Sequence, residues 1–223
     1  MRSLSRFFAW FLVCLAGLLC ANAAAAADAG SQLPQSDRPG PASGPGEGGH
    51  KKPAASPLAS AAIRGQMLDD LFARLQRARD QNEAQTLALS IQHIWFQTRS
   101  DTASLLMQRA AQSIQDSHYP LALSLLDKIV ALEPQWAEAW NQRATVRFLA
   151  DDSEGAMADI DQVIKLEPRH FGALAGMGAI LQRAGLDKQA LQIYGKSLSL
   201  YPMQPELQKT VEKLKLTVEG RDI

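Results

Sequence analysis

The chain has 223 residues, 46% of them hydrophobic, and its 23 basic side chains balance its 23 acidic ones. Such a balance argues against nucleic acid, which requires a basic face, and against a membrane surface held by charge. Both cysteines, Cys14 and Cys20, fall near the N-terminus, so a chain trimmed behind them has neither disulfide nor thiol chemistry.

Residues 1–27 read as a secretory signal. Arg2 and Arg6 supply the positive region, and Phe7 to Leu19 is an apolar run too short to span a bilayer comfortably. Ala25-Ala26-Ala27 offers a small-x-small cleavage site before Asp28, and Ala21-Asn22-Ala23 offers a second. A retained membrane anchor is the rival reading. A lipoprotein is disfavoured, because Cys20 is preceded by Leu19 and has Gly17 at minus three. An exported domain without disulfides is held by its core alone.

Residues 28–62 carry Pro34, Pro39, Pro41, Pro45, Pro53 and Pro57 among glycines and contain almost nothing bulky and apolar. A segment of that composition buries too little surface to offset its ordering entropy, and reads as a disordered linker. Its one basic cluster, His50-Lys51-Lys52, reads as solvated.

From Ile63 the pattern is helical, with no alternating run that suggests a strand. Helix pairs are predicted at 66–79 and 83–98, 102–115 and 119–132, 137–150 and 153–166, and 171–184 and 187–200. A ninth helix is predicted at 205–217. Polar breaks such as Asp116-Ser117-His118 and Asp151-Asp152-Ser153 supply caps and turns. Pro134, Pro168 and Pro202 recur every 34 residues, each just past the second helix of a pair. Ala88, Ala122, Ala156 and Ala190 keep the same step. A fixed period of that length indicates stacked repeats, since a single compact core needs no such regular punctuation.

Numbered from Ala103, Ala137 and Phe171, the eighth position of each unit is Ala110, Ala144 or Gly178, and the twentieth is Ala122, Ala156 or Ala190. Facing columns of small residues let two backbones approach closely. Leu126, Ile160 and Tyr194 at the twenty-fourth position, and Ile129, Val163 and Ser197 at the twenty-seventh, fill the seam. Trp140, at the fourth position, and Trp95 read as buried packing. Trp136, in an inter-repeat turn, reads as partly exposed.

These columns resemble the tetratricopeptide repeat (TPR) family. The resemblance implies an all-α fold, a right-handed superhelical solenoid of antiparallel helix pairs. Its units are 103–136, 137–170 and 171–204, with a degenerate helix pair at 63–102 and a capping helix and tail at 205–223. In the degenerate pair, Gln76 replaces the small residue and Ser100 replaces proline. Val211 and Leu214 are expected to cover the last pair. The stretch from Leu68 to Ile223 also resembles exported repeat proteins of alphaproteobacteria, through segments such as Leu68-Asp69-Asp70-Leu71-Phe72 and Arg169-His170-Phe171-Gly172. That resemblance implies a periplasmic location.

In this family, first helices line a concave side with positions two, five, six and nine. The candidate groove residues so implied are Arg74, Arg77, Met107, Gln108, Asn141, Gln142 and Thr145. Amides such as Gln108, Asn141 and Gln142 suit the backbone of an extended peptide. The family's clamp for a terminal carboxylate is not assembled, because Arg77 alone supplies a positive charge at the matching positions. The expected function is a non-enzymatic protein-interaction scaffold of the bacterial envelope that holds a peptide or partner helix in the groove. The alternative is a structural subunit of an envelope assembly, making contact through convex or terminal surfaces. No catalytic residue, metal or cofactor is expected. The four histidines, His50, His93, His118 and His170, show no i, i+4 pair. Neither a Gly-x-Ser-x-Gly turn nor a phosphate loop occurs, and Asp159-Ile160-Asp161 reads as a wet helix face. The partner is expected to be a protein or peptide, with no nucleic acid and no membrane insertion once the signal is cleaved.

Overall fold

The computed structural model describes residues 57–221, and every regular element among them is an α-helix. In chain order these are α1 (Pro57–Leu75), α2 (Gln81–Phe96), α3 (Asp101–Gln115), α4 (Tyr119–Leu132), α5 (Ala137–Leu149), α6 (Ser153–Leu166), α7 (Phe171–Arg183), α8 (Asp187–Leu200) and α9 (Pro205–Arg221). From α3 to α8 the ends lie within one residue of the periodic pattern. By contrast, α1 starts at Pro57, inside the stretch read as linker. The signal reading at 1–27 and the rest of the linker lie outside the described residues.

Local chemistry explains the boundaries. Asp80, Ser100 and Asp152 cap the helices that follow them, accepting from the backbone N–H of Glu83, Ala103 and Gly155 at 2.9, 3.1 and 2.8 Å. The first helix of each unit closes the same way. Ser117, Asp151 and Gly185, spaced by the repeat period, have φ of 59°, 64° and 75°. The next residue then donates five back: His118 N–H to Ser113 O at 2.8 Å, Asp152 N–H to Arg147 O at 2.8 Å, and Leu186 N–H to Leu181 O at 2.9 Å. This left-handed closure turns the chain back along its own pair. Only the third unit uses glycine for it.

Within each pair the small columns meet. Ala110, Ala122, Ala156 and Ala190 are fully buried and Ala144 nearly so. Gly178 departs from alanine for a visible reason. A Cβ there would run into the ring of Tyr194, the largest residue of the twenty-fourth column. Burial of Tyr194 pushes its phenol pKa up, and its hydroxyl donates to Gln182 at 3.0 Å. At the twenty-seventh position, Ser197 donates to the carbonyl of Phe171 at 2.9 Å where the other units pack Ile129 and Val163. Leu207, Val211 and Leu214 of α9 cover the last pair, while Lys209, Glu212 and Lys213 face water.

Three sequence expectations need correction. Trp140 is half-buried, not core: its indole donates to Pro134 O at 3.0 Å and the Arg143 guanidinium lies 4.7 Å above its ring. Trp136, expected to be partly exposed, is buried. Asp159 belongs to no wet face. It is 2% exposed and ion-paired to Arg143 at 2.7 Å and Arg147 at 3.1 Å. Burial pulls the Arg143 guanidinium down, but its bonds to Asp159 and Asp127 outweigh this, so its pKa lies above the ordinary arginine value. Only Asp161 is exposed.

The hairpin α1–α2 departs from the repeat in a larger way. It does not stack on α3 as a first unit would; α2 instead reaches α5. Its apolar residues Phe72, Ile91 and Trp95 share a cluster with Phe171 and Tyr201 from the third unit. Gln76, at the small position, lies just past the end of α1 and is exposed, and Gln92, at the twenty-fourth, is half-buried, so this hairpin lacks the small and apolar columns of the other units.

Gly178→Ala is expected to cost about 1–3 kcal/mol by overpacking against Tyr194, measured by urea unfolding. Adding Tyr194→Leu, the residue type of the first unit, should recover most of the loss.

Candidate functional site

The first helices α5 and α7, with the cap α9, form an inner wall that opens into a groove. Its depth comes from missing side chains. The inner positions of α7 are Gly172, Ala175, Gly176 and Ala179, and all four line the groove. A Cβ on Gly176 would make only ordinary contact with Ile160, at 3.5 Å. This glycine leaves room in the groove; Gly178, one turn face away, is demanded by packing. Phe148, Ile160, Ile180 and Leu207 supply apolar surface, and Asn141, Thr145 and Gln204 supply hydrogen-bonding groups.

Charge is nearly absent. Glu206 is the one charged lining residue, and its carboxylate already meets Lys209 at 2.9 Å. With no cation on the wall, the groove has nothing to grip a terminal carboxylate. Its chemistry is shape, apolar contact and a few amide bonds.

Beside the groove, at the N-terminal ends of α5 and α7, sits a buried polar cluster. Glu138 is 3% exposed. One of its oxygens accepts from the amides of Asn141 at 3.1 Å and Gln142 at 2.6 Å, and the other faces His170 Nε2 at 3.1 Å. His170 Nδ1 accepts from Ala173 N–H at 3.0 Å. A ring that accepts at Nδ1 carries its proton on Nε2, so His170 donates to Glu138 while capping α7. The Trp95 ring lies flat on His170, centroids 4.2 Å apart, and Trp136 donates its indole N–H to the Trp95 carbonyl at 2.8 Å. The Trp95 indole N–H is itself buried with no acceptor.

Of the residues singled out from the sequence, Asn141 and Thr145 line the groove. The amides of Asn141 and Gln142 are buried and spent on Glu138, not presented to a peptide backbone. Met107 is buried in the core of the first pair, and Gln108 is exposed outside the groove. Arg74 pairs with Asp70 at 3.5 Å on exposed α1, and Arg77 is exposed in the turn after it. Neither lines the groove, because the hairpin that carries them left the repeat register. Glu138 stands at the second position of its unit, one of the concave positions, whereas His170 has no sequence signal beyond its place just after a repeat proline.

Among the described residues, no group of three or more His, Cys, Asp or Glu side chains is placed to hold a metal ion. Nor is any helix among them long and apolar enough to cross a membrane.

No family model matches the chain. It is 41% identical over 155 residues to a TPR repeat-containing protein of Rhizobium etli, covering 70% of this chain and 76% of that one. A small glutamine-rich tetratricopeptide repeat-containing protein of Saccharomyces cerevisiae is 21% identical over 146 residues, 64% of this chain and 42% of that one. In fold, the chain is similar to the first TPR of RPAP3, bound to the HSP90 peptide SRMEEVD. That match has a TM-score of 0.52 at 19% identity, over 55% of this chain and 97% of that one. The Sgt2 TPR domain of Aspergillus fumigatus gives the same TM-score at 16% identity, over 55% and 83%.

His170→Phe is expected to keep the stack on Trp95 but leave the Ala173 N–H uncapped and a buried Glu138 oxygen without its donor. The loss should be about 2–4 kcal/mol by thermal or urea unfolding. Adding Glu138→Leu, which removes the stranded carboxylate, should recover part of it.

Proposed function

The chain belongs to the tetratricopeptide repeat family, and on that premise we propose that it is a non-enzymatic interaction scaffold that holds a segment of a partner protein in the groove between α5, α7 and α9. The observation that carries this reading is the run of small residues on α7, which leaves an apolar trough open where the packing does not require one. Support comes from the RPAP3 domain, a fold neighbour that holds a peptide.

The absence of a cation on the wall separates the occupant from a carboxylate-terminated tail. The groove takes an internal segment that inserts an apolar side chain over Ile160 and Ile180 and bonds to the half-buried Thr145 hydroxyl. The scaffold works in the bacterial envelope, a proposal that rests on the signal-like residues 1–27. The balanced charge supports a protein partner rather than nucleic acid.

A photo-crosslinking residue at Thr145 is expected to form a discrete adduct in envelope extract. Ala179→Phe, which fills the trough, should abolish that adduct while leaving the helical circular dichroism intact. Adducts at exposed Lys196 of α8 with none at Thr145 would sink the groove reading in favour of a subunit that docks by its outer face. Separately, intact-mass measurement of the chain recovered from the envelope should give an N-terminus at Asp28. A full-length mass would mean a retained anchor.

A further inference from the structure

We propose that the α1–α2 hairpin is a releasable cover, held across the N-terminal ends of α5 and α7 and in exchange with an open form that uncovers His170 and Glu138.

The first argument is architectural. A repeat hairpin that stacks in register is held along the whole face of its neighbour. This hairpin does not stack on α3. It is fastened at the inter-repeat turns, through Trp95 on His170 and Phe171, Phe72 on Phe171, and the Trp136 indole on the Trp95 carbonyl.

The second argument is that the array keeps its cores without the hairpin. The buried clusters around Ala122 and Ile129, around Ile160 and Val163, and around Tyr194 and Val211 contain no buried residue of α1 or α2; half-buried Phe96, the last residue of α2, packs against the first of them. The hairpin has a cluster of its own, centred on Leu75 and Ile91, which borrows only Phe171 and Tyr201 from the array's buried residues. Two units whose cores share so little surface can separate sub-globally.

The third argument is what lies beneath. Beside the apolar contact with Phe171, Trp95 covers a histidine bonded to a glutamate that in turn holds two amides, while the indole N–H above them goes unpaired. The outer seam is polar as well. Arg169 bonds Asp69 at 2.6 Å and sits 4.7 Å over the Phe72 ring, with its side chain one-third exposed.

Release leaves Glu138, Asn141 and Gln142 next to the groove that Asn141 already lines, and so lengthens it. That consequence rests on the groove reading above; the release itself does not, and its test uses no ligand.

The experiment is carbethoxylation of the full chain by diethyl pyrocarbonate, read residue by residue by mass spectrometry. Exposed His93 and His118 serve as internal controls. Arg169→Ala removes the ion pair and the cation over Phe72, and is expected to speed modification of His170 by roughly tenfold relative to those controls. Amide hydrogen exchange in α6 and α8 is expected to stay as in the parent. No change at His170 overturns the proposal, because the seam would then not hold a cover. Faster modification matched by faster exchange in α6 and α8 also overturns it, because the hairpin would then open only with the whole array.

Discussion

The closeness of the two helices in each pair is the constraint on which the structure depends. Ala110 with Ala122 in the first pair, Ala144 with Ala156 in the second, and Gly178 under the Tyr194 ring in the third remove the side chains that would keep the backbones apart. Once a pair is that close, its large residues are driven to the flanks, where they meet the next unit. The column is also self-consistent. Where the flank holds Tyr194 in place of Leu126 or Ile160, the facing small residue shrinks to glycine. The hairpin with Gln76 at the small position is also the one that does not stack on α3.

Charge completes what the columns begin. Arg143 of α5 bonds Asp127 on α4 at 2.8 Å and Asp159 on α6 at 2.7 Å, so one guanidinium ties three helices across a unit boundary. Glu138 and His170 join α5 to the N-terminus of α7 in the same manner. Such pairs add little net stability over apolar substitutes, but they are costly to break singly. Geometrically, they tie each first helix to its neighbours in one register.

The inner wall serves two purposes in one chain. Toward its C-terminal half, small residues on α7 leave a trough. Toward the N-terminal ends of α5 and α7, the wall is occupied by the molecule's own aromatic hairpin. The groove is therefore shorter than three stacked units would offer, and its polar row is engaged internally. The same displacement explains why Arg74 and Arg77 stand away from it.

The period of 34 and the columns of small residues were enough to read the helix pairs from α3 to α8 with their ends and the place of the cap, because close helix packing acts through residues a fixed number of turns apart. Ala122, Ile129 and Val211 are buried for reasons visible in the chain itself. The place of the first hairpin was not legible, since it depends on contacts such as Trp95 with His170 and Asp69 with Arg169 that join residues many turns apart. Nor was the burial of Asp159, Asn141 and Gln142, because a polar residue reads as wet until its partner is known. Local periodicity determined that the chain is an array with an inner wall. Only the tertiary structure decided which part of that wall is open, because long-range pairing of aromatic and charged side chains leaves no periodic trace.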